Sequence, residues 1–193
     1  MCGRYYVDDE TVREMEKIIR EVDARQIKER IGDVYPSQTA SVLVGKKPSL
    51  AAKEMLWGFP RYGQKGLLIN ARAETAMERR TFRDSVLHRR CIIPAKYFYE
   101  WDMDKNKVRF LRRDEPILYM AGFYNHVQGE NRFMILTTQA NASVIQTHDR
   151  MPLILERSEL EDWVYNDQFT EFALKKTPVL LQKYQEYEQQ SLF

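Results

Sequence analysis

Residues 91–101 read CIIPAKYFYEW, an apolar and aromatic run that is typical of a β-strand rather than a loop. Further strand-like runs follow it, at Val108–Leu111, Ile117–Tyr124 and Phe133–Thr138. Turn-forming residues separate these runs at positions 104–106 and 128–131. Strands that follow one another across short turns predict a largely antiparallel sheet or barrel.

The segments before this run add more strands and two helices. Gly3–Val7 is a short apolar strand, after which Asp8 and Asp9 can cap a helix. The apolar residues of that helix fall at helical spacing, at Val12, Met15, Ile18, Ile19 and Val22. The runs Thr39–Val44 and Leu50–Trp57 flank a turn and predict a hairpin. A second helix is predicted from about Thr75 to His88.

The C-terminal part of the chain is predicted to be helical. Ser158 begins a helix that contains Leu160, Trp163 and Val164. The acidic, Gln-rich residues 182–190 read as a surface helix or a frayed tail, so we expect a helical segment over about 158–193. Together with the strands, this pattern predicts one α+β domain over residues 1–193, with flanking helices.

Bulk composition excludes several classes of protein. The chain is 44% hydrophobic and 30% charged, which is typical of a soluble globular protein, and its net charge of +2 neither requires nor excludes nucleic acid. No apolar run approaches the roughly 20 residues of a membrane span. Two cysteines, Cys2 and Cys91, and no secretory signal predict a reducing cytoplasm. The three histidines lack paired ligand spacing, so we expect neither a metal nor a cofactor.

Cys2 carries the first distinctive chemistry. Removal of the initiator methionine, which is normal before a small residue, would leave a free α-amine beside the thiol. The amine titrates at about 7.7–8.0 and the thiol at about 8.5, so both are expected to be partly deprotonated near neutral pH. Such an aminothiol suits an aldehyde, because the amine forms an imine and the thiolate then closes a thiazolidine. A cysteine at position 2 can also be incidental.

The segment Asn70-Ala71-Arg72-Ala73-Glu74-Thr75 follows the apolar residues 67–69. If the strand continues, Asn70 and Arg72 project from one face. The amide could then orient an amine or a carbonyl, and the guanidinium could clamp a phosphate. The alternative is a helix-capping segment with a surface arginine.

Glu100 and His148 are the candidate acid–base residues. Glu100 lies inside an aromatic strand, where partial desolvation would raise its pKa toward a useful value. The alternative places it on the solvent face beside core aromatics. The turn His148-Asp149-Arg150-Met151-Pro152 could present His148 as a proton donor and Arg150 as a phosphate contact, although a histidine is often structural.

Together these segments resemble the SRAP family, the SOS response-associated peptidases. The elements that match are Met1-Cys2-Gly3-Arg4-Tyr5, Trp57-Gly58, Asn70-Ala71-Arg72-Ala73-Glu74-Thr75, Cys91-Ile92-Ile93-Pro94-Ala95 with Tyr99-Glu100-Trp101, and His148-Asp149-Arg150-Met151-Pro152. They occur in the family's order and cover residues 1–155. Each is weak alone, but five in order are specific.

The resemblance implies covalent capture of abasic sites in single-stranded DNA, as a thiazolidine on Cys2. By position, Asn70 would hold the N-terminus and the sugar oxygen, Glu100 would serve as acid and base, and His148 would assist opening of the deoxyribose ring. It also implies a weak abasic-site lyase activity and autoproteolytic removal of Met1.

The resemblance further implies how DNA is held. Arg4, Arg72 and Arg150 would grip phosphates that flank the lesion, while Trp57 and Pro36 would shape the channel where bases are splayed. The protein would act as a monomer and associate with the nucleoid when bound to DNA.

Two positions depart from the family's pattern. Tyr97 stands where the family commonly has glycine, so its side chain would narrow the site or point into the core. Residues 59–66 depart from the usual loop, which bears proline and tryptophan. Two other functions stay open, a thiol peptidase that acts on other proteins and a non-catalytic reader of modified or single-stranded DNA.

Overall fold

Short strands make up most of the fold. The computed structural model describes residues 2–19 and 31–185. In chain order, the strands are β1 (Tyr5–Val7), β2 (Gly32–Val34), β3 (Thr39–Lys46), β4 (Ser49–Trp57), β5 (Phe59–Pro60), β6 (Leu67–Leu68), β7 (Asn70–Arg72), β8 (Arg90–Ala95), β9 (Tyr97–Trp101), β10 (Lys107–Leu111), β11 (Leu118–Val127), β12 (Glu130–Gln139), β13 (Arg150–Pro152), β14 (Ile154–Leu155) and β15 (Gln182–Gln185). The helices are α1 (Asp9–Ile18), α2 (Ala73–Ala76), α3 (Arg80–His88), α4 (Leu160–Tyr165) and α5 (Asp167–Ala173), and a 3₁₀ turn spans Arg157–Glu159.

Two large sheets organise these strands. The smaller has the order β15-β10-β9-β1-β2, and the larger has the order β13-β12-β4-β3-β8-β11-β14. Because β11 also pairs with β12, the strands β12, β4, β3, β8 and β11 close into a barrel. Most pairs are antiparallel, whereas β12 runs parallel to β4 and to β7. The predicted α+β class with a largely antiparallel sheet or barrel is confirmed.

Successive side chains of the barrel strands point to opposite faces, and this alternation divides the core into two layers. In β8, Cys91 and Ile93 pack in the layer that includes Phe98 and Phe110 of the smaller sheet. Ile92, between them, packs in the layer that the helices cover. Full burial of such a side chain stabilises the fold by roughly 1.5–3 kcal/mol. The smaller sheet therefore meets the barrel through one face, and its other face is turned away from this core.

Helix α1 begins where the sequence predicts. The Asp8 carboxylate accepts a hydrogen bond of 2.8 Å from the Thr11 N–H, and the Thr11 hydroxyl accepts one of 3.4 Å from the Asp8 N–H. These two reciprocal bonds form a capping box. Met15 and Ile19 are buried in the core. The predicted extension of this helix through Val22 lies outside the described residues.

The predicted helix from Thr75 to His88 is wrong in one respect, because it is two helices. The N–H groups of Glu78 and Arg79 both donate to the Thr75 carbonyl and close a turn after α2. Arg79 then takes an extended backbone conformation, with ψ of 114°, and α3 begins at the next residue. No side chain caps this start, so the local sequence gives little sign of the break.

The predicted run 91–101 is two strands that belong to different sheets. The chain changes sheet at Lys96, whose N–H donates to the Tyr6 carbonyl at 2.8 Å and whose Nζ donates to the Pro116 carbonyl at 3.0 Å. Strand β8 pairs with β3 and β11, whereas β9 pairs with β1 and β10. A buried sheet corner of this kind preserves the apolar pattern, so periodicity alone does not show it.

The predicted C-terminal helical segment is correct only in its first part. Helices α4 and α5 lie within it, but residues 182–185 form β15 and pair with β10. The open edge of β10 offers unpaired backbone groups, and pairing with them outweighs the local helix preference of a Gln-rich stretch. Residues 186–193 lie outside the described part of the chain. Among the helices described, none is long and apolar enough to cross a membrane.

Candidate active site around the N-terminal cysteine

Asn70 fixes the main chain of Cys2. Its Nδ2 donates a hydrogen bond of 2.8 Å to the Cys2 carbonyl. Asn70 begins β7, which lies parallel to β12 with Asn70 opposite Ile135, so the barrel holds the amide in place. The Oδ1 of Asn70 is buried and has no hydrogen-bond partner among the described residues. It therefore keeps the capacity to accept a hydrogen bond from an amine or a hydroxyl.

Glu100 is buried within electrostatic reach of Cys2. It lies on β9 and is 3% exposed, so its predicted desolvation is confirmed and the alternative of a solvent-facing carboxylate is wrong. Burial raises the pKa of the Glu100 carboxyl, and the charge of His148 acts against that rise. Glu100 is thus suited to hold a proton closer to neutral pH than an ordinary carboxyl.

The Cys2 thiol differs from the sequence-based expectation. The residue is 0% exposed, and this burial, followed by the negative charge of Glu100, raises the pKa of the thiol far above its usual value. The Sγ lies 3.7 Å from the Arg4 carbonyl, in the range of a weak hydrogen bond. The expectation of partial deprotonation near neutral pH is therefore wrong for this buried state, and the thiol needs a base as it reacts.

His148 lies at the end of a tight turn after β12. Its Nδ1 is 2.9 Å from the Arg150 N–H and 2.9 Å from Oδ1 of Asp149. An unprotonated Nδ1 accepts a hydrogen bond from the Arg150 N–H, whereas a protonated Nδ1 donates one to the Asp149 carboxylate. One of the two contacts is therefore kept in either protonation state. The ring orientation is thus maintained while the imidazole gains or loses a proton.

Asn141, which is not among the predicted site residues, holds this turn. Its Nδ2 donates to the carbonyls of Pro178 and Val179, each at 2.9 Å, and its Oδ1 accepts from the N–H and hydroxyl of Ser143. The side chain is buried and all of its donors and acceptors are used. In the sequence, Asn141 lies three residues after Thr138 and seven before His148, and an asparagine where a strand gives way to a turn was the signal that could have revealed it.

The three predicted phosphate-binding arginines have different environments. Arg72 is exposed and makes no ion pair with any described residue. Arg4 pairs with Asp33, and its guanidinium lies 4.9 Å and 4.6 Å from the ring centroids of Tyr35 and Tyr99. The structure brings Arg4 next to Cys2, through the shared contact at the Arg4 carbonyl.

Arg150 is buried rather than open to a ligand. Its two terminal nitrogens contact the Glu74 carboxylate at 2.7 and 2.8 Å, and one also donates to the Thr137 carbonyl at 2.6 Å. A phosphate would have to compete with Glu74 for these nitrogens. The structure therefore supports a positioning role for Arg150, beside His148, better than the predicted phosphate contact.

Trp57 is fully buried, so its ring does not face a base directly, and its predicted part in shaping the channel would have to act through the residues that it contacts. The indole Nε1 donates to the Ile69 carbonyl at 2.9 Å, and the ring packs on Tyr5 and Phe133. Trp57 thus supports the residue that precedes Asn70. Pro36 is half-buried in the neighbouring turn, where the Ser37 N–H donates to the Trp57 carbonyl at 3.0 Å.

Tyr97 neither narrows the site nor enters the core, in contrast to both expectations. Its ring is half-buried and stacks on Tyr6, with ring centroids 4.8 Å apart and planes inclined by 5°. Because Tyr97 and Glu100 lie on opposite faces of β9, the larger side chain is accommodated outside the site.

The described residues hold no cluster of three or more His, Cys, Asp or Glu side chains placed to bind a metal ion. The candidate site instead holds the buried Cys2, fixed by the Asn70 amide and accompanied by one carboxylate and one imidazole. Such an arrangement defines a class of α+β protein in which the first residues of the chain provide the candidate nucleophile.

The comparisons with known proteins identify the family. The family model "SOS response associated peptidase (SRAP)" matches residues 1–192, and the chain belongs to this family. It is similar to "Abasic site processing protein YoqW" of Bacillus subtilis strain 168, with 30% identity over 185 residues, 85% of this chain and 80% of that protein. It is also similar to "Abasic site processing protein YedK" of Escherichia coli K12, with 30% identity over 177 residues, 85% of this chain and 79% of that protein.

Two solved structures show the same fold. A protein from Bordetella bronchiseptica superposes with a TM-score of 0.78 at 24% identity, over 96% of this chain and 100% of that chain. A protein from Bacteroides thetaiotaomicron superposes with a TM-score of 0.77 at 21% identity, over 97% of this chain and 93% of that chain.

Proposed function

We propose that this protein processes abasic sites in single-stranded DNA by bonding Cys2 covalently to the ring-opened sugar aldehyde. The observation that carries the proposal is the Asn70–Cys2 hydrogen bond of 2.8 Å beside a buried Glu100. The names of the relatives support the same substrate, since both are abasic site processing proteins.

The first step is imine formation at the α-amine of Cys2. After removal of Met1, the amine attacks the aldehyde carbon and gives a carbinolamine, which loses water to form an iminium. Loss of water needs a proton at the departing hydroxyl. The raised pKa of Glu100 favours its protonated form, which can donate that proton.

The second step closes the ring. The Cys2 sulfur adds to the iminium carbon, the C–S bond forms, and the thiol proton passes to a base. Glu100, now a carboxylate, can accept it, which meets the need set by the raised pKa of the buried thiol. Overall, one aldehyde and one aminothiol react to give one thiazolidine and one water.

Asn70 and His148 prepare the reactants. Asn70 holds the Cys2 carbonyl, and its buried Oδ1 can accept from the amine or a sugar hydroxyl. His148 can exchange a proton with the ring oxygen of deoxyribose as the sugar opens, because its Nδ1 contacts maintain the imidazole in either protonation state. The same amine and acid would also support slow β-elimination, a weak lyase activity.

Phosphate binding is assigned to Arg72 and Arg4. Arg72 is exposed beside Asn70 on β7, so it can reach a phosphate near the captured sugar. We propose that a single chain acts on single-stranded DNA in the cytoplasm, and that the N-terminal methionine is removed by the same site.

The Cys2→Ser variant tests the two steps separately. Once an added aminopeptidase has removed Met1, this variant keeps the amine of residue 2 but lacks sulfur, so we expect a reversible imine that survives denaturation only after borohydride reduction. Cys91→Ala, which alters the other buried cysteine, serves as the matched control and should form the full adduct. An equally stable adduct from Cys2→Ser would rule out the thiazolidine. Steady cleavage of an unrelated peptide that Cys2→Ser abolishes would instead favour a peptidase.

A further inference from the structure

The two candidate acid–base residues are held by different sheets. Glu100 lies on β9 of the smaller sheet, whereas His148 lies in the connection between β12 and β13 of the larger sheet. The charge of His148 acts on the Glu100 carboxyl, so the two groups lie within electrostatic reach of each other. Their relative position therefore depends on how this connection is held against the smaller sheet. We call the connection, residues 140–149, the His148 turn.

A series of main-chain hydrogen bonds joins Asn141 to His148 within this turn. The N–H groups of Val144 and Ile145 both donate to the Asn141 carbonyl at 3.0 Å. The N–H groups of Thr147 and His148 then donate to the Val144 carbonyl, at 2.8 and 3.0 Å. Because His148 is bonded to Val144, and Val144 to Asn141, a shift of Asn141 would move the main chain that carries the imidazole.

The side chain of Asn141 holds the His148 turn against a distant segment of the chain. Its Nδ2 donates to the carbonyls of Pro178 and Val179, each at 2.9 Å. In a second link, the Leu181 N–H donates to the Ser143 hydroxyl at 3.0 Å, and this hydroxyl donates to the Asn141 Oδ1. Asn141 is buried, so water competes little with these hydrogen bonds.

This distant segment leads directly into the smaller sheet. Leu181 is followed by β15, which pairs with β10, and β10 pairs with β9. Val108 of β10 lies opposite Gln185 of β15 on one side and opposite Glu100 of β9 on the other. A continuous series of hydrogen-bonded elements therefore joins Asn141 to the strand that carries Glu100.

We propose that Asn141 is a positioning residue of the candidate site, which sets the place of His148 relative to Glu100 by holding the His148 turn against the segment that leads into β15. The donors and acceptors of the Asn141 side chain are all used inside the protein, so it acts through His148 and not on the substrate. A misplacement of about 1 Å can slow a reaction about a hundredfold. This inference rests on the proposed function, which gives His148 its part in opening the deoxyribose ring.

A double-mutant cycle tests whether Asn141 acts through His148. The four proteins are the parent, Asn141→Ala, His148→Gln and the variant that carries both substitutions. An added aminopeptidase first removes Met1 from each, so that processing of the N-terminus does not limit the rate. The rate constant of adduct formation is measured at saturating single-stranded DNA with one abasic site. The Kd of an oligonucleotide with a tetrahydrofuran in place of the abasic sugar, which has no aldehyde, measures binding separately.

The effect of Asn141→Ala should depend on the presence of His148. In the parent, the substitution should slow adduct formation about tenfold or more, because the imidazole is misplaced. In the His148→Gln background it should change the rate less than about twofold, because the group that Asn141 positions is already missing. The Kd of the tetrahydrofuran oligonucleotide should change less than about twofold in Asn141→Ala, since no contact with DNA is removed.

Two further variants separate positioning from a general loss of stability. Asn166→Ala is the matched control, because the Asn166 Oδ1 accepts two main-chain N–H groups at the start of α5, at 3.1 and 3.2 Å. Loss of this cap should destabilise the fold but leave the rate of adduct formation unchanged. Ser143→Ala removes only the bonds to Leu181 and Asn141, so it tests the same link if Asn141→Ala does not fold. It should slow adduct formation about threefold, and only when His148 is present.

Three results would overturn the inference. Equal losses from Asn141→Ala in both backgrounds would show an effect that does not pass through His148. Parent-like rates for Asn141→Ala, or for Ser143→Ala, would show that the link is dispensable, and a parent-like rate for His148→Gln would leave no group to position. Failure of the proposed function differs from all three, because the parent itself would then form no adduct.

Discussion

The side-chain amide of Asn70 reaches the main-chain carbonyl of Cys2 at 2.8 Å, across 68 positions of the sequence. This contact joins the first residues of the chain to β7, which pairs with β12 of the barrel, so the fold itself determines where the candidate nucleophile lies. In the proposed mechanism the reactive amine and sulfur belong to a terminal residue, and terminal residues are otherwise among the least ordered in a protein.

Asn70→Asp is expected to slow adduct formation about tenfold or more. The substitution preserves the shape of the side chain but replaces the amide donor by a carboxylate, which has no proton to donate to the Cys2 carbonyl. One lost hydrogen bond costs about 0.5–1.5 kcal/mol, and repulsion between the carboxylate and the carbonyl oxygen adds to this cost. The rate of adduct formation on an abasic oligonucleotide measures the effect. Asn131→Asp, in the β11–β12 turn region, controls for the added charge. Equal rates for Asn70→Asp and the parent would show that the contact is dispensable.

Glu100→Gln is expected to raise thermal stability increasingly as the pH rises. The pKa of Glu100 is raised by burial in the folded state, above an unfolded value of about 4.3, so the folded protein binds this proton more tightly. The carboxyl therefore contributes stability below about pH 4 and loses that contribution as the pH rises through the raised pKa. The Tm of both proteins between pH 4 and pH 8 tests this. A Tm difference between the two proteins that does not vary with pH would contradict a raised pKa of Glu100. In a separate measurement, the rate of adduct formation by the variant should lose the acid limb of its pH profile.

Glu74→Gln is expected to destabilise the fold at pH 7 by about 1–2 kcal/mol. The variant removes the charge partner of the buried Arg150 guanidinium, and the half-exposed position of Glu74 limits the cost through solvent screening. Because Arg150 holds the pKa of the Glu74 carboxyl below its usual range, the loss should shrink as the pH falls through that lowered pKa. Urea unfolding of the variant and the parent at pH 7, and again at a pH below the lowered pKa of Glu74, measures the loss of stability at each pH. Glu130→Gln, which breaks the exposed pair with Arg132, should cost less than about 0.5 kcal/mol.

Arg72→Ala is expected to weaken single-stranded DNA binding in a salt-dependent way. Removal of one phosphate contact should lower the slope of log affinity against log salt by about 0.7. Arg113→Ala, an exposed arginine after β10, removes the same charge from a different place. If both variants retain the slope of the parent, Arg72 does not touch the DNA.

The sequence predicted the strands and the separate site residues better than their arrangement. The apolar run at 91–101, the hairpin at 39–57 and the cap at Asp8 each follow from local chemistry, and each forms. The sheet change at Lys96 and the β15 strand depend on distant partners, the Tyr6 carbonyl and the open edge of β10. No local pattern encodes those partners.

The same limit applies to the site. Burial of Glu100 followed from its aromatic neighbours, but the full burial of Trp57 and the pairing of Arg150 with Glu74 require the fold. The raised pKa of the Cys2 thiol arises from burial together with Glu100, which lies 98 positions away in sequence. Reference pKa values describe an exposed terminal cysteine, whereas burial in the fold raises the pKa of the Cys2 thiol above that reference value.

Intact mass spectrometry of the protein, before and after mixing with single-stranded DNA that contains one abasic site, determines whether Cys2 captures the lesion covalently. We expect loss of Met1, then a mass increase of one DNA strand minus one water, with peptide mapping that assigns the adduct to Cys2. A protein with a free N-terminal Cys2 that gains no mass, or that gains it at another residue, would contradict covalent capture by this cysteine.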